Sequence, residues 1–392
     1  MKRITFSLLA IFTIFCQDVI AQDNNRVITT AIPSLLVAGD ARSAALGDQG
    51  VATRVDAFSQ QWNPAKFAFS ETRQGFGLAY TPYLRELVND INIANLSYFN
   101  RINERSSVAA SIRYFSLGEV ELRETAEQVA RIASPNEFAI DLSYALRLSE
   151  EFSMAVAGRF IQSNLRIPTG IADASPASTF AADIAMFYRS EEKIYRDFNG
   201  RWRAGLNVSN IGPKIKYDDA GDENFLPTNF KAGAGFDFIL DAANTIAVSV
   251  EFNKLLVPTP PKPEYVEGST TELTPESQDE FTDYKNTNEF SAIFSSWNDA
   301  PDGISEELKE ITWALGAEYW FEDSFALRLG YFNESEEKGF RKFLTMGAGF
   351  KYSTINIDAS YLFSTSKVQN PLEGTLRFGL TFNIGDDYYS EY

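Results

Sequence analysis

The acidic run Asp218-Asp219-Ala220-Gly221-Asp222-Glu223 offers hard oxygen ligands that could hold a calcium ion, but its spacing misses the EF-hand loop and reads more simply as a solvated turn. The Gly233-Ala234-Gly235 and Gly347-Ala348-Gly349 runs are not phosphate cradles. Each falls inside a strand-like alternation, where small residues let two backbones approach. Histidine is absent, which removes the usual general base for a Ser or Cys nucleophile and the ligand shared by most zinc sites. The single cysteine, Cys16, lies in a leader-like segment, so an exported chain would carry no disulfide or thiolate site. A Ser-Lys or carboxylate pair is the hydrolytic chemistry that remains. The reading is therefore of a non-enzyme with no catalytic, cofactor or metal residues. The 35 Lys and Arg against 53 Asp and Glu give a charge of −18, which leaves no basic face for nucleic acid.

The elements that would position any site are strands. Aromatic residues make up 14% of the chain, with 32 Phe, 17 Tyr and 5 Trp, yet the mean hydropathy is only −0.20. That combination suits a transmembrane β-barrel, in which alternate residues face lipid and the rest a polar lumen. From about Gly75 onward, stretches of roughly ten residues alternate in this way and end in turns or polar loops. The last is the cleanest: Leu376, Phe378, Leu380, Phe382 and Ile384 share one face, and Arg377, Gly379, Thr381 and Asn383 the other. A slip of one residue would put Arg377 into lipid.

Strands are expected near 75–83, 90–100, 105–117, 136–147, 151–164, 176–188, 200–210, 226–239, 243–256, 311–321, 324–333, 340–351, 353–364 and 373–384. The fold class is thus all-β, a transmembrane antiparallel β-barrel of about 14 strands with an N-terminal hatch or plug. Short and long links alternate along the chain, as the periplasmic turns and outer loops of such barrels do. The link from Arg189 to Asn199 is the exception, longer than its class. Arg113, Asp141, Arg159, Asp183, Lys231, Asp237, Glu251, Arg328, Lys351, Asp358 and Arg377 form the lumen-facing charged set, expected to pair across strands.

Met1-Lys2-Arg3, the apolar run Ile4 to Phe15 and the Val19-Ile20-Ala21 cleavage site read as a secretory signal peptide, too short for a spanning helix. The organisation expected is a signal peptide over 1–21, a hatch over 22–74, a barrel over 75–385 with a long extracellular loop at 257–310, and a periplasmic tail over 386–392. The location expected is the outer membrane of a double-membraned bacterium, with both termini periplasmic.

The region from Gln22 to about Ser70 does not alternate. Asn63 reads as an N-cap with Pro64 at the first helical position. Pro33-Ser34-Leu35-Leu36-Val37-Ala38-Gly39-Asp40-Ala41-Arg42, Leu46-Gly47-Asp48-Gln49-Gly50-Val51-Ala52-Thr53 and Gln61-Trp62-Asn63-Pro64-Ala65-Lys66 closely resemble the N-terminal hatch of the PorV family. Asp40, Arg42, Gly47, Gly50, Trp62, Asn63 and Pro64 carry the motif. PorV barrels are outer-membrane components of the bacterial type IX secretion system. The resemblance implies partners: a SprA/Sov-like translocon barrel, secreted cargo with C-terminal signal domains, a PorU-like sortase attachment complex, and outer-membrane lipid. It implies no covalent chemistry and no cofactor. The wider FadL-like superfamily shares the fold and the Asn-Pro-Ala element, which leaves a channel for hydrophobic small molecules as the alternative.

The 257–310 loop opens on Pro258-Thr259-Pro260-Pro261-Lys262-Pro263, which favours an extended polyproline conformation. Its later part mixes acidic residues with Phe281, Tyr284, Phe290, Phe294 and Trp297, types that anchor interfaces. Pro258, Pro260, Pro261 and these five aromatics are the expected partner-binding residues. Glu334, Glu336 and Glu337 read as a charged loop tip.

Overall fold

A computed structural model describes residues 26–85, 88, 90–123, 129–165, 176–217, 223–267, 269, 271–366 and 372–385. The leader, the 386–392 tail and residues 218–222 of the acidic run lie outside them. Fourteen strands form the wall. They are β1 (Gln74–Pro82), β2 (Asn92–Arg101), β3 (Ser106–Ser116), β4 (Asn136–Arg147), β5 (Phe152–Asn164), β6 (Ala177–Arg189) and β7 (Asn199–Ile211). The second half comprises β8 (Asn229–Ile239), β9 (Asn244–Leu255), β10 (Thr312–Phe321), β11 (Phe325–Asn333), β12 (Lys342–Tyr352), β13 (Ile355–Ser364) and β14 (Leu376–Ile384).

Each strand pairs antiparallel with its neighbours in sequence, and β14 pairs with β1 from Gln74↔Ile384 to Tyr80↔Phe378, which closes the ring. The period-2 pattern decides which side chains face outward: Leu78, Tyr80, Leu142, Phe180, Leu327 and Phe378 are exposed on the outer surface. Of the lumen-facing charged set, all but Lys351 are buried. All fourteen expected strands are present, with ends displaced by a few residues. The expected 226–239 strand begins only at Asn229, because Pro227 has no N–H to donate to the ladder. No helix among the described residues is long and apolar enough to cross a membrane, which says nothing of a closed strand barrel.

The turns 102–105, 148–151, 240–243, 322–324 and 353–354 lie at one end of the barrel with the start of β1 and the end of β14. The longer links lie at the other. Two small hairpins extend the long-loop end, pairing Val120–Leu122 with Arg131–Ala133 and Ile215–Lys216 with Glu223–Asn224. The two ends are called the short-turn and long-loop ends below.

Residues 26–70 pack against inward-facing wall side chains. Two short helices lie in this segment, α1 (Ala41–Ala45) and α2 (Ser59–Trp62), followed by a 3-10 turn over Pro64–Phe69. Ala65, Phe67, Ala68 and Phe69 form one apolar cluster with Phe99, Ala109, Ala145, Ala155, Ala185 and Phe187 of the wall. The wall offers mostly alanines there, which leaves room for the two Phe rings. Burying each ring contributes about 1.5–3 kcal/mol.

Candidate functional site

The motif residues of the N-terminal segment act together as its clamps. Asp40 caps α1 by accepting from the Ser43 N–H at 2.8 Å, and its other oxygen accepts from the Trp62 indole at 2.9 Å. Arg42, on α1, reaches the wall: Nε and Nη2 each donate to one oxygen of Glu318 at 2.9 Å, and Nη1 donates to Asp56 at 2.7 Å. The fork geometry of a guanidinium suits such bidentate pairing. Gly50 N–H and Val51 N–H donate to a single Glu251 oxygen, at 2.7 and 2.8 Å. Gly47 has φ of +85° and donates to Thr345 Oγ1 at 3.0 Å. A Cβ on Gly50 would stand 2.3 Å from the Trp62 ring, so glycine is what lets the indole lie flat against this turn.

Asn63 and Pro64 start the 3-10 turn as the spacing predicts, with the Ala65 N–H donating to Asn63 Oδ1 at 3.1 Å. Asn63 Nδ2 donates to the carbonyls of Val51 and Met186, both at 2.9 Å, which ties the turn to the segment and to β6 at once. The lumenal charges pair across strands only in part. Arg159 bridges Asp141 and Asp183, and Arg328 bridges Glu318 and Asp358. Others turn to the segment instead: Asp237 takes Arg54 as well as Arg203, and Arg113 donates to the Val37 carbonyl. Gly233 and Gly347 stand where the expected close approach occurs. An added Cβ would lie 2.8 Å from Val51 and 2.4 Å from Ala45.

The second cluster sits at the long-loop end. Residues 257–310 form three helices, α3 (Pro275–Asn286), α4 (Glu289–Ser295) and α5 (Ile304–Lys309). Thr274 caps α3 with Pro275 at its first position, and Asn288 caps α4 by accepting from the Phe290 and Ser291 N–H groups. An ionic base holds this cap on the barrel. Lys254, from the end of β9, contacts Glu307 at 2.9 Å and Glu310 at 2.6 Å, and Lys338 contacts Glu306 at 2.6 Å and Glu310 at 2.9 Å. Arg26 completes it with a two-point contact to Glu306 at 2.9 and 2.6 Å and an ion pair to Asp302. All but Asp302 are under a tenth exposed. Arg26 therefore lies at the long-loop end, opposite the end where β14 finishes; the residues before it are not described.

Of the expected partner-binding residues, Phe290 (57% exposed), Phe294 (79%) and Trp297 (46%) face outward, joined by Ile304 (73%) and Leu308 (64%) of α5. Pro258 is buried at the base, while Pro260, Pro261, Phe281 and Tyr284 are half-buried, Tyr284 against the Phe225 ring. The charged loop tip is present, but Glu334 is tucked in. That residue is 6% exposed and pairs with Arg341 at 2.8 Å, while Glu336 and Glu337 pair with Lys342 and Lys309. Ile304 and Leu308 escaped the sequence reading. Their i, i+4 spacing was the available signal.

The base titrates. Burial works to raise the Glu306 carboxyl, but hydrogen bonds from Arg26 and Lys338 outweigh it and hold it at about 2. Burial pushes Asp299 up to about 6, with Glu307 and Glu310 adding to the rise. A depressed carboxyl stabilises the closed cap above its ordinary value of 4.5 and loses that contribution as pH falls toward 2. A raised one has the opposite sign, and Asp299 stabilises the cap as pH falls through 6. Cleavage within 257–310 by an acid-tolerant protease, corrected for the protease's own pH profile, should slow as pH falls through 6, be slowest at about pH 4, between the ordinary values of 4.5 for Glu306 and 3.8 for Asp299, and quicken again toward pH 2.

Solved barrels similar to this chain include the CymD monoaromatic hydrocarbon channel, 12% identical, covering 90% of this chain and 99% of that one with a TM-score of 0.49. The Ralstonia pickettii toluene transporter TbuX is 11% identical, with 90% and 100% covered and a TM-score of 0.49. A Pseudomonas aeruginosa FadL homologue is also 11% identical, with 92% and 99% covered and a TM-score of 0.41. Among curated proteins none matches. The motif residues that clamp the N-terminal segment fall within residues 20–262, the stretch matched by the family model for the type IX secretion system protein PorV, and because that stretch is more than half of the sequence, the chain belongs to the PorV family.

Proposed function

We propose that this outer-membrane barrel is a non-enzymatic protein-binding subunit of type IX secretion. In this reading it receives cargo C-terminal signal domains at a SprA/Sov-like translocon barrel and delivers them to a PorU-like sortase attachment complex. One observation carries the reading: Phe290, Phe294, Trp297, Ile304 and Leu308 stand exposed on a cap whose base is pinned by buried ion pairs. A rigid mount with apolar residues on its outer side pays little ordering entropy on binding, which is how a small patch becomes an effective anchor. The N-terminal segment, clamped to the wall by Arg42 and the Gly50 turn, serves as the hatch that keeps the lumen shut, so that cargo engages the outside of the barrel rather than passing through it.

The test is affinity purification of the tagged barrel from its own outer membrane in gentle detergent, with mass spectrometry of what stays bound. Recovery of a very large barrel, a sortase-like protease or proteins sharing a C-terminal domain is the expected result. The triple variant F290S/F294S/W297S should reduce that recovery by about tenfold or more, since each anchoring aromatic is worth on the order of 1–2 kcal/mol. Unchanged recovery would remove the cap from the reading.

A second reading rests on a cavity of about 450 Å³ beneath the cap, where Val27, Ile28, Pro33, Leu36 and Phe332 supply apolar walls beside Lys231 and Arg341. It makes the barrel a channel for a hydrophobic small molecule. Recovery of the barrel alone, with a co-purifying lipid or fatty acid, would favour it.

A further inference from the structure

A cavity of about 320 Å³ opens at the short-turn end, between the N-terminal segment and the wall. One side of it is cationic. Arg189 of β6 pairs in register with Arg203 of β7, and Arg201, two residues before, stands opposite Asp237 of β8. With Trp202 facing out, the period-2 rule turns all four inward. Arg54 of the N-terminal segment joins them through Asp237, whose Oδ1 accepts from Arg54 Nε at 3.2 Å and from Arg203 Nη2 at 2.9 Å. One buried carboxylate thus serves two guanidinium groups. Arg201 finds Glu192 of the rim only at 3.6 Å, and its buried Nε donates to no group among the described residues.

The rest of the cavity is balanced. Asp56 is met by Arg42, Asp358 by Arg328 and Asp323 by Lys351, while Glu71 is exposed at the rim. Like charges set directly opposite on neighbouring strands, as Arg189 and Arg203 are, cost stability unless something negative lies between them. The heads of Arg54 and Arg201, 29% and 27% exposed, look into the same space. A chain whose net charge is −18 therefore gathers a positive surplus on this side of the mouth.

We propose that this patch is a binding site for an acidic, tyrosine-rich segment, with Arg54 and Arg201 as its clamp, and that Asp386-Asp387-Tyr388-Tyr389-Ser390-Glu391-Tyr392 of this chain occupies it. The occupant follows from place, reach and charge. β14 ends at Ile384, paired with Gln74 at this same end, and Thr381 and Asn383 of that strand line the cavity. Seven extended residues reach about 24 Å. A wall of fourteen strands, about 4.8 Å apart and tilted by about 40°, is about 28 Å across, and the arginine side chains cover the remainder. Asp386, Asp387 and Glu391 bring three carboxylates, each able to take a guanidinium fork. Tyrosine rings offer faces on which arginine heads stack, as the Arg189 head already does over the Phe69 ring at 4.9 Å. Once seated, the segment closes the short-turn mouth below the N-terminal segment. The proposal does not depend on the secretion role.

The test uses the full-length barrel in a nonionic detergent and a synthetic peptide with the sequence of residues 386–392, carrying a neutral fluorophore. Binding is read by fluorescence anisotropy. The variant D386N/D387N/E391Q, whose own segment no longer competes, should bind the peptide about tenfold or more tightly than the parent does. Adding R54Q/R201Q to that variant should weaken binding about tenfold, and so should raising NaCl from about 50 to about 500 mM, since half-exposed ion pairs are screened. Heat-modifiable migration on gels checks that each barrel is folded. Equal affinity for the parent and the neutralised barrel would overturn the assignment to residues 386–392, because the site would then stand open for an acidic segment of another protein. No binding to the neutralised barrel, or binding that R54Q/R201Q leaves unchanged, would overturn the site itself.

Discussion

Replacing Arg42 by Met is expected to destabilise the folded barrel by about 3 kcal/mol, the lower end of what removing one partner of a buried ion pair costs. The reason is the carboxylate left behind. Glu318 is 2% exposed and takes both its Arg42 contacts at 2.9 Å, so the variant strands a charge that no water reaches easily. Arg328 remains on Glu318 at 2.7 Å and softens the loss, but it is already shared with Asp358 at 2.6 Å. Met preserves the packing of the Arg stem, which separates charge from volume. Urea titration in micelles, followed by tryptophan emission, measures the effect. The double variant R42M/E318Q should recover more than half of it. A midpoint for R42M within about 0.5 kcal/mol of the parent would show that the clamp contributes little.

Gly330→Val should expel the turn around Gly47 from the wall without opening the barrel. A Cβ at residue 330 would lie 2.1 Å from the Gly47 nitrogen and 2.2 Å from the Leu46 carbonyl carbon, both backbone atoms. Neither side can yield cheaply, because Gly47 is itself at positive φ and has the Tyr331 carbonyl oxygen 2.9 Å from its own Cβ position. Overpacking of this kind typically costs about 1–3 kcal/mol, enough to break the Gly47 to Thr345 hydrogen bond. New protease cleavage within residues 40–56, with gel migration of the barrel unchanged, is the expected result. Gly158→Ala is the control. Its added Cβ meets nothing within 4 Å, so its cleavage pattern should match the parent.

The wall was legible in the sequence because its rule is local. A strand that must show lipid one face and a polar lumen the other writes period 2 into every ten residues, as Leu376 to Ile384 does. The inward charges were legible for the same reason, but their partners were not. Glu251 answers Gly50 and Val51 some two hundred residues away, and Arg26 answers Glu306 at a separation of 280, distances that no spacing rule reaches. The cap falls between these cases. Its acidity and its prolines masked helices whose starts were present locally, since Thr274-Pro275-Glu276 is an N-cap followed by proline at the first position and an acidic first turn. The exposed aromatics could be picked out as types, while the burial of Pro258 at the base could not.

The threading of residues 26–70 along the inner wall bears on the order in which the molecule assembles. Arg42 meets Glu318 across 276 residues of chain, and Gly47 meets Thr345 across 298. These contacts have no partner until β10 to β12 exist, and β1 has no second neighbour until β14 arrives. Loop closure over such separations is slow, so this segment must wait for strands that follow it by nearly three hundred residues. A chain stalled before β10 would hold an N-terminal segment with exposed Phe67, Phe69 and Trp62 and only part of its wall to receive them.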